Sequence, residues 1–326
     1  MARRGARKAK NGVRLVVWAQ PGQEALVEDA VRRGGFELVA MGPPEAKPAA
    51  DLGDGAAVRT LRNLREAIRL DGVDLLWLAA PQRLKADQRR LIRESGVQTI
   101  SSEPIPGNVG DLLADPREAD TARFVPRMRQ SPGYRAASEV LDQIGPPRCV
   151  DIFLGSGPGY GTLFARLFDA MDLVETLCGG AQVLDASLGG RFSGVPETLG
   201  ALRGHMTVNV RFPDQRCVSA TVSDQAGCWY RSVTILGEGG CLRIKDHAFE
   251  LISPDGIILD AHRERGEITP GVLIATEVGR RLKNLETADP PADATRLLTL
   301  CEAARLSCRT GAGESPDKVL AMLKRV

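Results

Sequence analysis

Apolar residues follow two different rhythms along this chain. Over roughly the first third they come in short unbroken runs: VRLVVWA at 13–19, FELVAM at 36–41, VDLLWLAA at 73–80 and a shorter one at 97–101. Runs of this length, stopped by Gly or Pro, suit strands buried on both faces. The intervening stretches 24–33, 61–70 and 85–95 space their apolar residues as helices do. Alternation of the two predicts an α/β unit over residues 12–121, a Rossmann-like doubly wound parallel sheet with helices on both faces.

Beyond residue 122 the pattern changes. A helix is expected over 134–144, a strand over 149–154, and a long amphipathic helix over about 163–177. From Met206 the period drops to two: Val208, Val210 and Phe212 alternate with Thr207, Asn209 and Arg211, and Val218, Ala220 and Val222 with Ser219, Thr221 and Ser223. Turn residues then space strands at 232–236, 242–245, 249–252 and 257–260, and helices at 294–309 and 317–324 close the chain. Residues 122–326 thus read as an α+β domain on an open, mainly antiparallel sheet, one face covered by helices and the other solvated or packed on a second copy.

Charge narrows the partners. The net charge of +2 over 326 residues comes from Arg3, Arg4, Arg7, Lys8 and Lys10; without these five the acids outnumber the bases. A basic face for nucleic acid is therefore not expected, and residues 1–11 read as a disordered arm. Arg3 and Arg4 are not followed by the apolar segment of an export signal. No run approaches the roughly 20 apolar residues that cross a bilayer. Seven scattered cysteines without a CxxC pair, and three histidines, His205, His247 and His262, without ligand spacing, argue against a metal site or a disulfide framework. Reduced thiols and a cytoplasmic location follow.

Several segments carry a resemblance. MRQSPGYRAASEVLDQIGPPR, 128–148, places Arg129 and Pro132 in an Arg-x-x-Pro pattern; GYGTLFARLFDAMDLVETLCG, 159–179, runs without a gap along a glycine-rich, His-x-x-Asp-Leu, Gly pattern; TILGEGGCLRI and ARLSCRTG follow from Thr234 and Ala304. In this order and spacing the chain resembles the glucose-fructose oxidoreductase and inositol dehydrogenase (Gfo/Idh/MocA) family. The resemblance implies NAD or NADP as cofactor, a sugar-like or cyclic polyol ligand, and homo-oligomers formed through the second sheet. It also implies a lysine in a Glu-Lys-Pro motif and a histidine in His-x-x-Asp flanking the reacting carbinol.

The working positions have been exchanged. Glu103, in Ser102-Glu103-Pro104, stands where the family lysine would be, and Asp169 where the histidine would be; Asp172 keeps the later carboxylate, and Arg129 matches a family position that faces the cleft. Three acids brought together repel, so one of them holds a proton or needs a cation nearby. A dinucleotide fold needs GxGxxG between its first strand and helix, for a tight turn and a close approach to the pyrophosphate. Ala19, Pro21 and Glu24 occupy the glycine positions, leaving Gly22 between them. The second strand ends Met41-Gly42 with no acid for a ribose diol, and Lys85 follows Pro81 where the family often carries histidine. A separate glycine cluster, GSGPGYG at 155–161 with Asp151 before it, is similar to a methyltransferase cofactor loop, but lacks the parallel strands such a core needs afterwards. The expectation is a divergent protein without standard hydride transfer, serving as a ligand-binding or partner subunit. The alternative is an active NAD(P)-dependent oxidoreductase with Glu103, Asp169 or Asp172 as an unorthodox base.

Overall fold

A computed structural model describes residues 12–46, 58–80, 84–157, 159–191, 194–282 and 293–325. The first unit contains β1 (Arg14–Trp18), α1 (Glu24–Gly34), β2 (Glu37–Gly42), β3 (Arg59–Thr60), α2 (Leu64–Arg69), β4 (Leu75–Leu78), α3 (Ala86–Ser95), β5 (Gln98–Ser101), α4 (Val109–Ala114) and β6 (Arg123–Phe124). Its strands pair in parallel in the order β3-β2-β1-β4-β5-β6. The apolar runs are the central strands: Leu15, Val17, Leu75 and Trp77 face one helical layer, and Val16, Leu76 and Leu78 the other. Both faces are covered, which is why these strands do not alternate with polar residues.

The second unit runs through α5 (Pro132–Ser138), β7 (Cys149–Gly155), α6 (Leu163–Leu177), β8 (Val183–Gly189), β9 (His205–Arg211), β10 (Cys217–Ser223), β11 (Tyr230–Gly237), β12 (Gly240–Lys245), β13 (Ala248–Ile252) and β14 (Ile258–Arg263). It ends with α7 (Pro270–Leu282), α8 (Ala294–Thr310) and α9 (Pro316–Leu323). The sheet order is β14-β13-β12-β11-β7-β10-β9-β8. Pairing is antiparallel except between β7 and β10, because β7 inserts between two later strands. The helix expected over 134–144 is in fact α5 followed by a separate 3-10 turn, Leu141–Ile144. Strand β8 and helices α4 and α7 were not expected from the sequence. Helix α7 leaves the second sheet and packs Ile274, Ala275 and Val278 against the α1 side of the first.

Helix α6 is the axis of the second core. Instead of one wet face it is buried nearly all round, from Leu163 to Val174. A helix in that position normally carries no charge, yet Arg166, Asp169 and Asp172 are all within it, each no more than 1% exposed. Among the described residues no helix is long and apolar enough to cross a membrane.

Candidate functional site at the junction of the two units

The loop after β5, the N-terminus of α6 and the loop after β1 meet at the junction. Glu103 is buried, held by its own backbone N–H donating to Ser101 Oγ at 3.1 Å. Its carboxylate accepts from the Thr162 backbone N–H at 2.9 Å and from the Thr162 hydroxyl at 2.5 Å. Thr162 is the N-cap of α6, its Oγ1 accepting from Ala165 N–H at 3.3 Å. The next helical N–H, that of Leu163, donates to Asp224 at 3.2 Å. The N-terminus of α6, a natural anion site, is thus filled by two of the chain's own carboxylates. Burial pushes the Glu103 carboxyl up to about 7, against the pull of the Thr162 hydrogen bonds and of Arg166.

Asp169 and Asp172 lie one helical turn apart, but they are held by different groups. Asp169 accepts from the Met128 backbone N–H at 2.8 Å and from Arg231 Nη1 at 3.0 Å. Asp172 takes Arg129 in a fork, Nε at 2.7 Å and Nη2 at 3.2 Å, with Arg127 at 3.6 Å. Burial raises the Asp169 carboxyl above its ordinary range, opposed by Arg231 and Arg166. The cation that three gathered acids require comes from the chain's own arginines, so the acids do not share one open pocket.

Arg231 ties the arrangement together. Fully buried on β11, it also pairs with Asp246 at 2.6 Å and donates to the Pro126 carbonyl at 3.0 Å. Its guanidinium lies 4.7 Å from the Trp229 ring centre, and so does that of Arg166. Among the described residues, Arg166 Nε and Nη1 are buried without a hydrogen-bond partner, and burial brings its pKa down to about 10. It serves as positive counter-charge near both Glu103 and Asp169. Arg166, Arg231, Asp246, Thr162 and Trp229 were not singled out by sequence. The signals were there: Arg166, Asp169 and Asp172 recur every third residue in an apolar helix, and Arg231 shares the inward parity of Val233 and Ile235 on its strand.

The loop after β1 carries none of the three glycines of a dinucleotide turn. Ala19 is buried and donates its N–H to the Gly42 carbonyl at 2.8 Å, and Pro21 is exposed and has no N–H to give. The Gly22 N–H, which a pyrophosphate would use, donates to the Glu24 carboxylate at 2.7 Å. Gln23 is buried and bridges the units, its Nε2 donating to the carbonyls of Ala79 at 3.0 Å and Gly159 at 3.1 Å. Gly159 has φ of +88°, and a Cβ added there would stand 3.1 Å from the Gly22 carbonyl oxygen. Only glycine suits that turn and approach. Lys85 is exposed at the N-cap of α3, and Pro81 lies outside the described residues. His205 Nδ1 bonds the Ser223 hydroxyl at 2.8 Å and His262 stacks on Phe249, so these two are engaged within the second sheet.

No family model matches the sequence, and no curated protein matches it. Solved structures do match its fold. A levoglucosan dehydrogenase in complex with NADH and levoglucosan superposes with a TM-score of 0.71 at 12% identity, over 94% of this chain and 99% of that one. An oxidoreductase from Agrobacterium radiobacter in complex with NAD+, L-tartaric acid and magnesium gives 0.68 at 18% identity, over 94% and 99%. The WlbA dehydrogenase from Bordetella pertussis, in complex with NADH and UDP-GlcNAcA, gives 0.63 at 18%, again over 94% and 99%. The chain therefore has the two-unit fold of the Gfo/Idh/MocA-type dehydrogenases.

Proposed function

We propose that this chain is a ligand-binding or partner protein built on a dehydrogenase fold, without the standard hydride transfer. One observation carries the reading: both helix N-termini at the junction carry the chain's own carboxylates, Glu24 at α1 and Glu103 with Asp224 at α6. A dinucleotide would have to displace the first and to part Gln23 from Gly159. The levoglucosan, L-tartaric acid and UDP-GlcNAcA held by the neighbouring structures support a sugar-like or polyol ligand. Exposed Leu236 and the apolar edge Ile258–Leu259 support association of copies through the second sheet.

A second reading, an active NAD(P)-dependent oxidoreductase on a sugar-like or cyclic polyol substrate, is favoured by Glu103. A carboxyl brought to about 7 can accept and return a proton near neutral pH. Titration with NADH and NADPH separates the two, read by tryptophan quenching and energy transfer from Trp18 and Trp77 in the first sheet. No saturation up to millimolar nucleotide is expected. Micromolar binding together with polyol-dependent formation of NAD(P)H would overturn the first reading in favour of the second.

A further inference from the structure

On the face of the second sheet turned away from α6, one register row runs from Ser232 on β11 through Lys245 on β12 and Ala248 on β13 to Arg263 on β14. Residues in such a row point to the same side. With strands about 4.8 Å apart, Lys245 and Arg263 stand roughly 10 Å from each other, separated by the single methyl group of Ala248. Both cations also line a pocket of about 290 Å3 at this end of the strands, whose other walls include Trp229, Tyr230, Arg231 and Glu267.

The charges in this lining do not cancel. Asp246 is buried and engaged, accepting from Arg231 at 2.6 Å and from the Trp229 indole N–H at 2.9 Å. Lys245 and Arg263 are exposed and, among the described residues, neither has an ion pair or a side-chain hydrogen bond. Among the described lining residues, Glu267 is the carboxylate left to oppose them, since Asp246 is taken by Arg231. Tyr230, 43% exposed, sets an aromatic ring beside the two cations.

We propose that this pocket binds a carbohydrate-sized ring bearing a carboxylate or a phosphate, with the ring against Tyr230 and the charged group between Lys245 and Arg263. An aromatic wall with a few convergent polar groups is the usual build of a small-molecule site, and the volume is at the low end of that range, right for one ring and too small for a dinucleotide. Arginine forks onto a carboxylate or phosphate, while lysine supplies a mobile point charge. The choice of a carbohydrate ring rests on the ligand-binding role proposed above; the pocket borders the buried cluster through Trp229, Arg231 and Asp246, while Glu103 and Thr162 are not among its lining residues.

The test is calorimetric titration of the full chain with D-glucuronate, D-glucose 6-phosphate and D-glucose, with light scattering for the mass. One or both anionic sugars should saturate the protein at least about tenfold more tightly than glucose, as expected for a charge-assisted contact. Preference between the two anions identifies the carboxylate or the phosphate as the natural group. The Lys245→Met, Arg263→Met double variant, altered only at exposed positions, should lose that advantage with melting temperature and mass unchanged. Equal binding of all three sugars, binding of none, or undiminished binding by the double variant would overturn the proposal. A changed mass in that variant would overturn it too, by assigning the two cations to a contact between copies. No nucleotide is present, so failure here leaves the junction as read; hydride transfer found in the nucleotide titration would refute that reading and leave this pocket standing.

Discussion

Replacing Glu103 by Gln isolates one electrostatic cost of burial at the junction. In the folded chain its carboxyl titrates at about 7, against an ordinary 4.5. Between those values the folded state keeps a proton that the unfolded state has released, so stability falls as pH rises, by about 1.4 kcal/mol for each pH unit. The contribution is present in full below 4.5 and is gone above 7, a total on the order of 3 kcal/mol. Glutamine keeps both contacts to Thr162, its oxygen accepting from the backbone N–H and its amide donating to the hydroxyl, and it does not titrate. The Glu103→Gln variant should therefore gain about 3 kcal/mol on the native chain between pH 4.5 and pH 8. Chemical denaturation across that range measures it, and the raised carboxyl of Asp169, common to both proteins, drops out of the difference. Parallel curves, or a variant that loses ground at high pH, would mean that Thr162 and Arg166 keep Glu103 ionised and would refute the reasoning.

Two further substitutions follow from the same geometry. Glu103→Lys, which restores the family residue, should cost at least about 2 kcal/mol in denaturation experiments, because it removes two charge-assisted hydrogen bonds and sets a cation beside Arg166 and a helix N-terminus; it should confer no NAD(P)H formation with polyols. Asp172→Ala leaves Arg129 and Arg127 facing an empty buried position and should lose about 3–5 kcal/mol, whereas a purely catalytic carboxylate would lose activity with the melting point unchanged.

Much of this architecture was readable from pattern, since continuous apolar runs mean strands covered on both faces and alternating ones mean strands covered on one. What the pattern could not carry was order. Nothing in CVDIFLG says that β7 will lie between β10 and β11, because its residues satisfy a parallel and an antiparallel neighbour equally well. Where α7 packs was not readable, because its partner α1 lies far away in sequence. At the junction, exchanged motif positions revealed where Glu103, Asp169 and Asp172 stand. They did not reveal the partners, since Arg129 on Asp172, Arg231 on Asp169 and Thr162 on Glu103 are matched by side chains 43, 62 and 59 positions away. Attention to buried parity would have found Arg231, because a guanidinium among inward-facing valine and isoleucine must have an acid waiting for it.

The return of α7 to α1 bears on how the chain is made. On the ribosome, β1 to β6 emerge first and could pair as a parallel sheet, but the side of α1 that meets α7 stays uncovered until α7 arrives. Strand β7 waits likewise for β10 and β11. Such distant closures slow folding and leave apolar surface open while synthesis continues. A fragment ending at Thr121 would remain in that unfinished state, so the two units are expected to reach their native form together.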